Sequence, residues 1–206
     1  MTWITNLDDL HRHYGTPARP ARVKVTPHLT HAYAAYLARA RFCILTTVGP
    51  EGTDASPRGD EGPVVRILDP RTLALPDWKG NDRIDSLRNI VRDGRVSLMV
   101  LIPGSNTAIR VNGTARVTAD DALRQSFARD GALPRTIMVI TIAEVYSQCA
   151  RALIRSALWT SGDQSDGLPT VGDMLREITE GGIDGLVIDG AAYDADWPVR
   201  AAKTMW

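Results

Sequence analysis

The chain has 206 residues, of which 44% are hydrophobic and 23% charged. That is the make-up of one globular domain with extensions, which excludes wholesale disorder and needs no metal or disulfide to close a core. Basic and acidic residues balance at 24 each, so no general pull toward nucleic acid or an anionic membrane is expected.

The first forty residues read as helical. Asn6 caps LDDLHRHY and Gly15 stops it. TPARPARVKVTP is broken by Pro17, Pro20 and Pro27 and reads as a connection. HLTHAYAAYLARA then carries Leu29, Tyr33, Tyr36, Leu37 and Ala40 at helical spacing. From Phe42 the character changes. FCILTTV is a short β-branched run ended by the turn GPEG, and DASPRGDEG is a polar stretch. VVRIL and TLALP, split by Asp69-Pro70-Arg71, form a hairpin signal. PDWKGNDRIDSLRNIVRDG begins as a loop and becomes a helix, with Ile84, Leu87 and Val91 on one face and Gly94 as the stop. RVSLMVLIPG, AIRVNGTARVTA and RTIMVITIAEVY are strands, with DDALRQSFARDG as a short helix between the last two. SQCARALIRSALW and LPTVGDMLREITEGG are helical, and a Gly/Asp-rich turn region and WPVRAAKTMW follow. The six strands between 42 and 146 stand too close for parallel crossovers, so an antiparallel barrel or sandwich with flanking helices is expected. Three segments follow: 1–40 as a helical extension, 41–160 as the β domain and 161–206 as a C-terminal helical extension packed on it.

No apolar run approaches the roughly 20 residues of a membrane helix. MTWITNLDDLHRHYG lacks the basic start and apolar stretch of a secretory signal, so a cytoplasmic protein with Cys43 and Cys149 reduced is expected. There is no GxSxG elbow, no SxxK, no Walker loop, and no GxGxxG opening a helix after a strand. His28 and His31 share a helix face but lack carboxylate or Cys partners at matching spacing, so no metal is expected.

Three segments could carry chemistry. Pro76–Ser86 runs from a strand into a helix, whose free N–H groups and dipole favour an anion. Lys79 and Arg83 add charge, Asn81 and Ser86 add neutral hydrogen bonds, and Gly80 lets the backbone approach a ligand. The competing reading is that Asn81 or Asp82 caps the helix and Arg83 is solvated. Ser56-Pro57-Arg58-Gly59-Asp60 reads either as a shaped loop at a strand end or as a surface turn with an Arg–Asp pair. Arg151 and Arg155, one helical turn apart, either hold an anion or are solvated.

Taken together, SPRGD, TLALPDWKGNDRIDSLRNI, RVSLMVLIPG, RVNGTARV and CARALIRSALW resemble the pyridoxamine 5'-phosphate oxidase-like, FMN-binding split-barrel proteins. The resemblance runs from about Arg41 to Trp159. It implies a six-stranded antiparallel split β-barrel, mainly β with flanking helices. It also implies a homodimer with an FMN at each of two interface sites, and a flavin-dependent oxidoreductase acting on a small molecule. The alternative is a non-catalytic binder of flavin, deazaflavin F420 or haem. The resemblance places Ser56 and Arg58 beside the isoalloxazine and Arg66 on the next strand. Lys79, Asn81, Arg83 and Ser86 fall at the phosphate, and Arg110, Gln148 and Arg151 come from the second subunit. The family's consecutive Arg-Lys in the phosphate loop is replaced by Asp85-Ser86. True oxidases grip their substrate with a C-terminal Arg-Leu-His pattern. Here every histidine precedes Leu37, so pyridoxamine 5'-phosphate oxidation is not expected.

Overall fold

A computed structural model describes residues 1–80, 82–180 and 185–205. Helix α1 (Leu7–His11) is capped by Asn6, whose side chain accepts from Asp9 N–H. The stretch expected as a connection contains a short helix, α2 (Arg19–Val23). Pro20 sits in its first turn, where a missing N–H costs nothing. Thr30 caps α3 (His31–Leu37) by accepting from Tyr33 N–H. Leu37 and Ala40, at the end of this segment, are fully buried in the core.

The strands are β1 (Phe42–Gly49), β2 (Gly52–Gly59), β3 (Arg66–Asp69), β4 (Thr72–Asp77), β5 (Arg95–Leu101), β6 (Ala108–Thr118) and β7 (Thr136–Gln148). They form one seven-stranded sheet in the order β2-β1-β5-β6-β7-β4-β3. All its pairings are antiparallel. The strand beyond the six expected is β2, the polar stretch after the first turn. The sheet does not close, because its edge strands β2 and β3 are not neighbours in it.

The longest pairing, β6 with β7, shifts register between Asn112 and Gly113. Only glycine fits that bulge, since a Cβ on Gly113 would lie 2.1 Å from the Thr141 carbonyl oxygen. The core sits on one face of the curved set of strands. Leu45, Leu73, Leu98, Val111, Met138 and Ile140 fill it.

Helix α4 (Asp85–Arg92) packs on β1. Its buried positions are Ser86 and Ile90, with Leu87 beside them, whereas Ile84 and Val91 are exposed. The expected Ile84–Leu87–Val91 face is therefore rotated. Ile84 is the N-cap in a left-handed conformation, outside the helical register. Asn89 fixes the rotation by donating from Nδ2 to Thr47 Oγ1 at 3.1 Å.

The remaining helices are α5 (Asp121–Gln125), α6 (Arg151–Arg155), α7 (Val171–Glu180), α8 (Gly190–Ala195) and α9 (Trp197–Thr204). Among the described residues no helix is long and apolar enough to cross a membrane.

Candidate functional site

A cavity of about 1360 Å³ opens between β2, the end of β4, the start of α4, Arg135-Thr136 at the foot of β7, and Met205 beyond α9. That exceeds the usual 300–1,000 Å³ of a small-molecule pocket.

Strand β2 supplies one wall. Its side chains alternate, so Asp54, Ser56 and Arg58 turn inward while Thr53, Ala55 and Pro57 are exposed. Arg58 donates from Nη1 to Asp77 Oδ1 at 2.7 Å, tying β2 to the end of β4. Asp60 is almost fully buried and accepts from Arg129 Nη2 at 2.6 Å and Trp78 Nε1 at 3.1 Å. The Arg129 guanidinium also lies over the Trp78 ring, 5.5 Å from its centroid. The Arg58–Asp60 turn pair is thus not formed; each residue takes a partner from another strand or loop. Two buried polar atoms on this wall, Arg58 Nε and Thr136 Oγ1, have no hydrogen-bond partner. Buried donors without partners are rare and costly, and a bound group would satisfy them.

The start of α4 supplies the opposite wall. Asp82 (φ 61) and Ile84 (φ 53) are both left-handed, strained for residues with a side chain. The N-cap, Ile84, makes no side-chain cap, and the Asp82 carboxylate instead accepts from Arg135. Asn81 lies outside the described residues. The helix start therefore faces the cavity without an Asp82 cap, as an anion site requires. Ser86 is less open: its buried hydroxyl donates to Asp54 Oδ2 at 2.6 Å. Arg83 is exposed and pairs with Asp85 at 2.8 Å. Lys79 donates from Nζ to the Lys203 carbonyl of α9 at 3.2 Å. Among the described residues the whole cavity lining carries six carboxylates and five cations.

Ser56, Arg58, Lys79, Arg83 and Ser86 thus meet at one cavity. Arg66 does not join them. On β3, at the other edge of the sheet, it donates to the Ser126 hydroxyl and carbonyl and stacks on Phe127 at 3.6 Å. Arg110, Gln148 and Arg151 cluster elsewhere. Arg110 and Lys24 flank the Tyr146 ring at 5.3 and 5.6 Å. Gln148 ends β7, and Arg151 opens α6. Thr136, on the cavity wall, and Gln148 stand twelve residues apart on β7. That is roughly 40 Å at about 3.3 Å per residue. One chain cannot bring both clusters to one ligand.

Asp54, Asp77, Arg135 and Thr136 line the cavity, Arg129 braces its Asp60, and none of the five was singled out in the sequence. Period-2 spacing from Ser56 and Arg58 would have found Asp54. Arg129 and Arg135 arrive from a distant loop and leave no local signal.

The family model described as pyridoxamine 5'-phosphate oxidase matches residues 29–149. The chain belongs to this family. The match spans the whole sheet and leaves α1, α2 and α6–α9 outside it. No curated protein matches the chain. Among solved structures it is similar to the HupZ protein of Group A Streptococcus, with 14% identity over 59% of this chain and 94% of that one and a TM-score of 0.49. A pyridoxamine 5'-phosphate oxidase candidate from Lactobacillus delbrueckii has 26% identity over 59% and 95%, with a TM-score of 0.48. An FMN-binding protein from Syntrophomonas wolfei has 17% identity over 55% and 86%, with a TM-score of 0.41.

Proposed function

We propose that the cavity binds FMN and that the protein is a cytoplasmic, FMN-dependent oxidoreductase acting on a small molecule. The observation that carries this reading is the start of α4, strained and without an Asp82 cap, opposite two unpartnered polar atoms on the cavity wall. Family membership supports it, as does the FMN named for the Syntrophomonas wolfei protein.

The residues fit the group unevenly. Lys79, Arg83 and the backbone at the start of α4 suit a phosphate. Ser86 suits it only if Asp54 gives up its hydrogen bond, and a carboxylate there repels the anion. Arg58, held by Asp77 with Nε still to be satisfied, brings charge and a donor to the reducible ring. Such a charge stabilises an anionic reduced form. FMN itself supplies the electron transfer, and the protein orients it and tunes it.

The reading includes a homodimer with two sites at the interface, in which Arg110, Gln148 and Arg151 of the partner subunit complete each site. The separation along β7 supports it, because these residues need a second copy to reach a shared ligand.

The test is to purify the protein, denature it and identify the released ligand by mass and fluorescence. FMN, with a yellow holoprotein bleached by NADH or NADPH, is expected. Release of FAD or F420, or failure to take up added FMN, overturns the cofactor. FMN bound but bleached by neither donor makes the protein a binder rather than an enzyme.

A further inference from the structure

The C-terminal arm, α7 to α9, holds itself together. Gly172 N–H donates to Asp194 Oδ1 at 2.9 Å. Arg200 donates to the Tyr193 carbonyl at 2.8 Å, and its guanidinium lies 3.8 Å from the centroid of the Tyr193 ring. The three helices pack on one another rather than on the sheet. Yet the arm ends at the cavity. Met205 lines it while 56% exposed, so this side chain rests at the rim and is not wedged in. Beside it, the Lys203 carbonyl accepts from Lys79 Nζ. The last-turn carbonyls of a helix lack intrahelical partners and carry its negative pole. Lys203 belongs to the last turn of α9. One cavity therefore receives the positive pole of α4 and the negative pole of α9.

We propose that the last turn of α9 competes with the ligand's phosphate for Lys79. A bound phosphate displaces that turn and loosens the C-terminal arm, and a seated arm weakens the ligand. The carbonyl end of a helix offers Lys79 roughly half a charge, spread over the whole turn. A phosphate offers between about one and a half and two charges, and hydrogen bonds between ionised partners are the stronger ones. The ammonium has three protons to give, but sharing it would set the negative pole of α9 against the phosphate, and like charges repel. Phosphate therefore wins Lys79, and the arm, which does not pack on the sheet, loses this hold on the cavity. The coupling is reciprocal, so the factor by which the arm weakens the ligand is the factor by which the ligand releases the arm. This inference rests on the phosphate site proposed above at the start of α4.

Two measurements on the full-length chain test it. The first is FMN affinity by fluorescence titration for the wild type, Ala202→Pro and the milder Ala202→Gly. Ala202 is exposed in α9. Proline there breaks the last turn and glycine loosens it, while Lys79 and Met205 stay in place. The second is the mobility of a nitroxide on Ala202→Cys in a Cys149→Ser background, read by its spectrum with and without FMN. Buried Cys43 escapes the label. The proline variant should bind FMN roughly 2- to 10-fold more tightly, the scale of one neutral hydrogen bond, with glycine between it and the wild type. The nitroxide should gain mobility as FMN saturates the chain. Binding confined to the variants supports the competition as well. FMN that binds all three chains alike, or that leaves the nitroxide unchanged or slower, overturns the competition and leaves the cofactor standing. FMN that binds none of them overturns the cofactor, and inorganic pyrophosphate then replaces it on the nitroxide chain. A label that pyrophosphate mobilises upholds the competition, and one that it leaves unchanged overturns that too.

Discussion

Arg58 and Ser86 each reach the cavity with a carboxylate already attached, and the consequences differ. Arg58 keeps its charge and an unpartnered Nε. Ser86 has spent its only proton on Asp54. Asp54→Asn should therefore tighten FMN binding by up to about tenfold, ~1.4 kcal/mol, measured by fluorescence titration; weaker binding would show that Asp54 orients Ser86 productively. Arg83→Ala should weaken FMN by roughly 1.5–3 kcal/mol, the scale of a hydrogen bond to a charged group, or about 10- to 150-fold. Unchanged affinity would move the phosphate to Lys79 and the backbone. The cysteines differ for a plainer reason. Burial pushes the Cys43 thiol up to about 12, against a smaller opposing pull from Arg58, while Cys149 is exposed. At pH 8 a thiol reagent should label Cys149 alone, and both only after unfolding. Because the folded state holds the Cys43 proton that an unfolded thiol releases near pH 9, stability should fall as pH rises from about 9 toward 12. A denaturant midpoint flat over that range would contradict the burial.

At the scale of elements, β1, β4, β5, β6 and β7 were legible because each buries apolar side chains, and β3 because buried Val64 and Val65 lead into it. β2 was not, and the reason is physical. Its inward face lines a polar cavity, so its period-2 pattern runs in Asp54, Ser56 and Arg58 against Thr53, Ala55 and Pro57, which a reading of hydropathy takes for a loop. The start of α4 was legible as an anion site, but its rotation was not. Left-handed Ile84 and the Asn89–Thr47 hydrogen bond decide that, and neither shows in apolar spacing. Ile90→Ala should cost about 2–5 kcal/mol, whereas Val91→Ala should stay within about 0.5 kcal/mol. Urea unfolding separates them, and equal losses would restore the face read from the sequence. In the C-terminal arm, a Cβ on Gly172 would lie 2.1 Å from the Gly190 carbonyl oxygen. Gly172→Ala should separate α7 from α8, seen as faster amide exchange there with the sheet unchanged.

At the scale of the whole molecule, the family name overstates what the cavity suits. Arg58, Arg83 and Arg135 are each tied to a carboxylate, and acids outnumber bases on the wall. A phosphorylated substrate needs a second anion site beside the ring, and its absence removes orientation as well as affinity. Supplied with pyridoxamine 5'-phosphate in air, the protein should form no pyridoxal 5'-phosphate at rates near the ordinary enzyme scale of about 10 s⁻¹. The open sheet has another consequence. An unclosed antiparallel sheet offers two bare edges on which a stray strand could grow. At one edge Pro57 has no N–H to lend to a new ladder, which is why proline is tolerated there. At the other, β3 has four residues and a register shift between Ile67 and Asp69, too short and irregular to template a fibril. Pro57→Thr would lift the first of these guards, so concentrated solutions of that variant should turn turbid and bind amyloid dye before the wild type does.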